Sequence, residues 1–83
     1  PKLSEERRQE LSKIASEYAE NSKIVIRNIR RDFIEINKKE KKESNISEDE
    51  LKKILNDIQK ITDNNINTIE KILEEKKKDI LKV

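Results

Sequence analysis

The sequence has no cysteine, no histidine and no glycine, and its one proline is the first residue. Without cysteine there are no disulfides and no thiol nucleophile. Without cysteine or histidine the usual zinc ligands are missing, and so is histidine acid–base chemistry. Without glycine there is no phosphate-cradling glycine loop, and no residue that enters a left-handed turn free of steric cost. A sheet domain of this size needs such turn residues, so the class that remains is all-α. Aromatic residues are down to Tyr18 and Phe33. No apolar run approaches the ~20 residues that span a bilayer, and no signal peptide opens the chain. No membrane is therefore expected as a partner, and a cytoplasmic location is expected. The chain starts with Pro1 rather than Met, which reads as a fragment or a processed piece.

What is there is charge. Of 83 residues, 46% are charged and 31% hydrophobic, a mixture that fits either disorder or thin helices with wide solvated faces. Periodicity decides for helices, within a single small domain. Ser4 is a good N-cap, and Glu5 and Glu6 follow where carboxylates meet the positive end of the helix dipole. Leu11, Ile14, Ala15, Tyr18, Ser22, Val25, Ile29 and Ile36 then recur at helical steps, and Ala19, Ile26 and Phe33 widen one edge. The spacing predicts one helix from about Ser4 to about Glu43, roughly 60 Å long at ~1.5 Å per residue.

Ser44-Asn45-Ile46 is the corner, with Asn45 expected to take the left-handed conformation in place of a glycine. Ser47 and Glu50 form a capping box, flanked by Ile46 and Leu51 at the staple positions. The acids Glu48, Asp49 and Glu50 have a sufficient explanation in the helix dipole, so no metal site is assigned to them. A second helix is predicted from about Glu48 to about Lys82. Its apolar face carries Leu51, Ile54, Leu55, Ile58, Ile61, Ile66, Ile69, Ile72, Leu73 and Ile80. A short corner makes the two helices antiparallel neighbours, a long helical hairpin over about 4–43 and 48–82. The runs Lys38–Glu43 and Lys76–Lys78 read as solvated helix ends.

Some polar residues fall inside the apolar pattern. Thr62 and Asn65 are expected as a register-setting pair, hydrogen-bonded across the helices. Tyr18 is expected as a core ring with its hydroxyl at the rim, and Phe33 as packing. The stripe of the first helix is too broad for one neighbour. It implies a third helix, from a segment outside this chain, from a second copy or from a binding partner.

The functional signal lies in Ile24–Phe33, I-V-I-R-N-I-R-R-D-F. Net charge is only +2, so bulk charge does not announce a nucleic-acid binder. Local clustering does. At about 100° per residue, Arg27, Arg30 and Arg31 fan over a quarter to a third of the helix circumference, with Lys23 one turn earlier. Val25 and Ile29 point the opposite way. Glu20 and Glu35 lie close enough to neutralise part of the charge. Phosphate is the obvious external partner, because a guanidinium fork donates two parallel hydrogen bonds to it. The alternative for these arginines is a solvated face with i,i+4 pairs.

Several strings together resemble one family, in its order and at its spacing over essentially the whole chain. They are L-S-E-E-R-R-Q-E-L at Leu3–Leu11, V-I-R-N-I-R-R-D at Val25–Asp32 and I-S-E-D-E at Ile46–Glu50. To these add D-I-Q-K-I-T-D at Asp57–Asp63 and I-E-K-I-L-E-E-K at Ile69–Lys76. The chain resembles the C-terminal part of bacterial ribosome recycling factors. The resemblance implies two helices of a three-helix bundle, whose N-terminal helix and inserted β domain are not in this sequence. It implies action after termination, with elongation factor G splitting the ribosome. It also implies contact with large-subunit ribosomal RNA through the arginines of the family's R-N-x-R-R motif. Carried onto this chain these are Arg27, Arg30 and Arg31, with Arg30 weighted most and Asn28 beside them. Phe33 departs from the family, standing where a smaller residue is usual.

The expected function is thus ribosome recycling by a non-enzymatic RNA-binding bundle, with RNA-binding residues Arg27, Arg30, Arg31 and Lys23. Expected partners are the ribosome, elongation factor G, and a third helix or second copy. No catalytic residue, cofactor or metal is assigned. The other class left open is a coiled-coil or helical-hairpin module that binds a protein. Such a module would depend on Val25, Ile29, Ile58 and Ile69 rather than on charge.

Overall fold

The structure, a computed structural model, describes residues 3–82; Pro1 and Lys2 of the expected lead-in lie outside the described residues. Two helices account for almost all of it: α1 over Glu5–Lys42 and α2 over Glu48–Leu81. They pack antiparallel into a rod of 63 × 15 × 12 Å. Both ends of α1 follow from local chemistry. The Ser4 hydroxyl accepts the Arg7 N–H at 3.1 Å, and Glu5 and Glu6 occupy the first turn.

The corner closes with the hydrogen bonds of a Schellman motif. The Asn45 N–H donates to the Glu40 carbonyl at 2.9 Å and the Ser44 N–H to the Lys41 carbonyl at 3.0 Å. This pairing forces the residue just after the Glu43 cap into the left-handed region. That residue is Ser44, at φ 63°, and not Asn45 as expected. Asn45 instead spends its side-chain amide on the Glu40 carboxylate at 2.8 Å. The capping box forms as read: the Ser47 hydroxyl accepts the Glu50 N–H at 3.1 Å, and Glu50 accepts the Ser47 N–H at 3.2 Å.

Two rods touch along one line, and burial follows that line. Among the described residues only Ala19, Lys23 and Thr62 are buried. Half-buried Ile26, Arg30 and Ile34 continue the line on α1, against Leu55, Ile58, Ile66, Ile69 and Leu73 on α2. The broad stripe of α1 therefore splits. Of its edge, Ala19 and Ile26 face α2, whereas Phe33, expected as packing, is 51% exposed. Its centre is open as well: Val25 is 56% exposed, and Ile14, Ile29 and Ile36 are exposed too. Ile61 and Ile72 are left open on α2. Two shallow depressions follow on this side. Ile29, Phe33, Ile61 and Asn65 are among the residues lining one; Tyr18, Ser22, Ile69 and Ile72 are among those lining the other.

Two expectations about the interior need correction. Tyr18 is not a core ring, since it is 70% exposed on the open side. Thr62 and Asn65 do not bond across the helices. The Thr62 hydroxyl donates to the Ile58 carbonyl at 2.7 Å, and the Asn65 amide donates to the Ile61 carbonyl at 2.8 Å, both within α2. Each sits four residues from a carbonyl of its own helix, and that short reach wins over a bond across the seam.

Replacing the cap, Ser47→Ala, should destabilise the hairpin by about 1 kcal/mol in urea unfolding, and an unchanged midpoint would remove the capping box from the stability account. Ser44→Gly should stabilise by roughly 0.5–1 kcal/mol by relieving the Cβ clash at positive φ, whereas Asn45→Gly should not.

Candidate nucleic-acid interface

The basic cluster sits on the middle of α1, and the structure separates its members by where they face. Arg27 and Arg31 are one turn apart and exposed. Among the described residues neither has a carboxylate within ion-pair distance. At about 100° per residue they lie roughly opposite the Tyr18–Ile29–Phe33 side. The expected neutralisation does not occur in the way foreseen: Glu20 turns to Lys23, and Glu35 forms no ion pair among the described residues. Two guanidinium groups thus stand in solvent with their charge uncancelled.

Arg30 lies on the flank of the seam. It is half-buried, and its side chain crosses to α2. Nε and Nη2 both donate to Oε1 of Gln59, at 3.1 and 2.8 Å. The amide nitrogen of Gln59 in turn donates to Oδ1 of Asp63 at 2.9 Å. The acceptor on Arg30 is neutral, so its positive charge is retained. The remaining N–H donors on the far edge of the guanidinium take no other protein acceptor among the described residues.

Lys23 departs from the expectation. It is 8% exposed, and its ammonium donates to Glu70 of α2 at 3.0 Å and to Glu20 at 3.4 Å. The hydrogen bond it donates to Glu70 raises its pKa above the ordinary 10.5; burial pulls the other way, and Glu20 adds to the rise. The reason is angular. Lys23 lies about 40° from Arg27 around the helix, toward α2, where the antiparallel register brings Glu70. Its charge is spent inside the hairpin, so Lys23 leaves the candidate interface and joins the packing.

Arg27, Arg30 and Arg31 remain together as a strip along one flank of the rod. Spacing on α1 could not find Gln59, Asp63 or Glu70. The Gln59–Asp63 pair is visible as an i,i+4 contact once α2 is accepted, but nothing in one helix says which residue of the other stands opposite Arg30. No group of three His, Cys, Asp or Glu side chains suited to a metal ion occurs among the described residues. No helix among them is long and apolar enough to cross a membrane. The chemistry that the strip can perform is to hold an anion with bidentate donors.

The family model described as Ribosome recycling factor matches residues 1–81. Among curated proteins, the chain is 54% identical over all its 83 residues to a ribosome-recycling factor of Staphylococcus carnosus, of which it covers 45%. It is equally similar, 54%, to one of Prochlorococcus marinus, covering 46% of it, and 52% identical to one of Acetivibrio thermocellus, covering 45%. The chain thus spans about half the length of the curated relatives it matches.

The Lys23–Glu70 contact should show in the pH dependence of stability. A lysine whose pKa is raised on folding stabilises fully below its unfolded value and loses that contribution as pH rises through the folded one. Glu70→Gln should therefore lower the melting temperature at neutral pH, and the gap to the parent chain should close above pH 10.5. A gap that stays constant across that range would mean that the ammonium is not the group Glu70 holds.

Proposed function

The chain belongs to the ribosome recycling factor family, and from that premise we propose that its arginine strip binds large-subunit ribosomal RNA during recycling of the ribosome after termination. The observation that carries this reading is the strip itself. Arg27 and Arg31 stand exposed and unpaired among the described residues, with Arg30 oriented beside them. Backbone phosphates are the ligands such a strip takes, because guanidinium groups match them in charge and in geometry. Specificity comes from shape. Side chains cannot read the deep major groove of A-form RNA, so a stiff rod of fixed length is the suitable reader.

The rod works by rigidity and not by catalysis. It wedges between the subunits while elongation factor G, its partner, supplies the energy by hydrolysing GTP. A chain without a single glycine has no phosphate-cradling loop of its own, which fits this division of labour. The open apolar side around Tyr18, Ile29, Phe33, Ile61 and Ile72 takes a third helix, completing a bundle. More than half the length of the relatives lies outside this chain, so there is sequence enough to supply it. Recycling takes place where the ribosomes are, in the cytoplasm.

The same open side favours the second reading, a module that docks a protein through its apolar face. Salt separates the two. Ribosome binding through phosphates should weaken steeply with salt, and Arg27→Ala, Arg30→Ala and Arg31→Ala should each lower the log–log slope by about 0.7–0.9. An arginine whose removal leaves both slope and affinity unchanged is not in the interface. Binding that ignores salt and follows Val25, Ile29, Ile58 and Ile69 would replace the RNA reading with the protein-docking one.

A further inference from the structure

We propose that Gln59, itself held by Asp63, is a positioning residue for Arg30: it fixes the guanidinium on the flank of the rod with its charge intact and its outer edge turned to a phosphate. The proposal rests on the phosphate reading of the strip and adds two residues of α2 to it. Lys23 and Arg30 are cations on the same flank of α1, two turns apart, and each crosses to α2. Their partners differ in the one respect that matters to an external anion. Lys23 meets a carboxylate, Glu70, at 3.0 Å, and its charge is cancelled where it stands. Arg30 meets an amide oxygen, Gln59, at 2.8 and 3.1 Å, and its charge is not.

The amide serves as a clamp because one oxygen accepts from both Nε and Nη2, which fixes the plane of the guanidinium as well as its place. An amide can flip, and a flipped Gln59 would present donors to a donor. Asp63 prevents this by accepting from the Gln59 nitrogen at 2.9 Å, so that the oxygen is left facing Arg30. The Nε edge is then occupied and the opposite edge is free for a second pair of hydrogen bonds. A guanidinium already held in one plane loses less freedom on meeting a phosphate than one swinging on a free side chain. Arg27 and Arg31 have no such clamp among the described residues. This gives a physical reason for Arg30 to outweigh them.

The test is a double-mutant cycle in the intact protein, read as affinity for ribosomal large subunits at fixed salt, with helicity monitored by circular dichroism. Gln59→Ala should weaken binding by about three- to tenfold, yet change it less than about twofold when Arg30 is already alanine. In nitrogen-15 spectra the Arg30 Nε–H signal, protected in the parent protein, should exchange faster in Gln59→Ala. Gln59→Glu should keep that signal protected and still lose affinity, because a carboxylate neutralises the cation it holds. A loss from Gln59→Ala that persists undiminished beside Arg30→Ala overturns the proposal, and so does an Arg30 signal indifferent to Gln59. If Arg30→Ala alone leaves affinity and salt slope unchanged, the phosphate reading falls, and the proposed purpose of the clamp falls with it. The Nε–H signal would still report whether the clamp exists, which keeps the two failures apart.

Discussion

Two long helices side by side share a single line of contact, and most of this structure follows from that line. A residue is surrounded only if it lies on the line and is either small or able to reach along it. Ala19 meets the first condition and Thr62 nearly so; Lys23 meets the second with a long stem that lies against the neighbouring helix while its ammonium finds a carboxylate. Large apolar side chains on the line, such as Ile26, Ile58 and Ile69, are only partly covered, and those to one side of it are exposed. The hairpin thus has a seam rather than a core, and its apolar content exceeds what one seam can use. The open flank at Tyr18, Ile29, Phe33, Ile61 and Ile72 is the surplus. In a bundle of three the same residues would face inward.

The seam also sorts the cations of α1. A basic side chain near the line is drawn across it, and what it meets on α2 decides its use. Lys23 meets Glu70 and becomes a structural contact. Arg30 meets Gln59 and stays a cation, aimed. Arg27 and Arg31, one step further round, meet no partner on α2 among the described residues and remain exposed. One stretch of nine residues, Lys23–Arg31, therefore supplies a packing contact, an oriented donor and two donors with no carboxylate partner among the described residues, graded by angle from the neighbouring helix. That gradation is what gives the proposed RNA-binding strip an edge rather than a diffuse charge.

Much of the architecture is legible in the residues, because caps and periodicity are local physics. Ser4 and the Ser47–Glu50 box mark the starts of both helices, and the helix ends agree to within a residue with those expected from spacing. The corner is legible as a place but not in detail. The hydrogen-bond pattern of the helix end selects which residue turns left-handed, and it selects Ser44, although Asn45 is the better residue by propensity. The bundle seam is legible as a face yet not as a contact line. A stripe as broad as that of α1 has room for two neighbours, and its spacing does not say which edge meets which.

What the sequence alone determined is the class, the length of the rod, the turn that closes one end of it and the clustering of three arginines on one part of one helix. These depend on residues a few positions apart, and the chain carries that information in its order. Only the tertiary structure decided which cations remain available: that Lys23 is consumed by Glu70, that Arg30 meets Gln59, and that Tyr18 stands in the open. Each of these rests on the register of two helices, where residues 29 to 47 positions apart come within 3.0 Å or so of one another. Register is set by the fit of the whole seam, and no short stretch of either helix contains it.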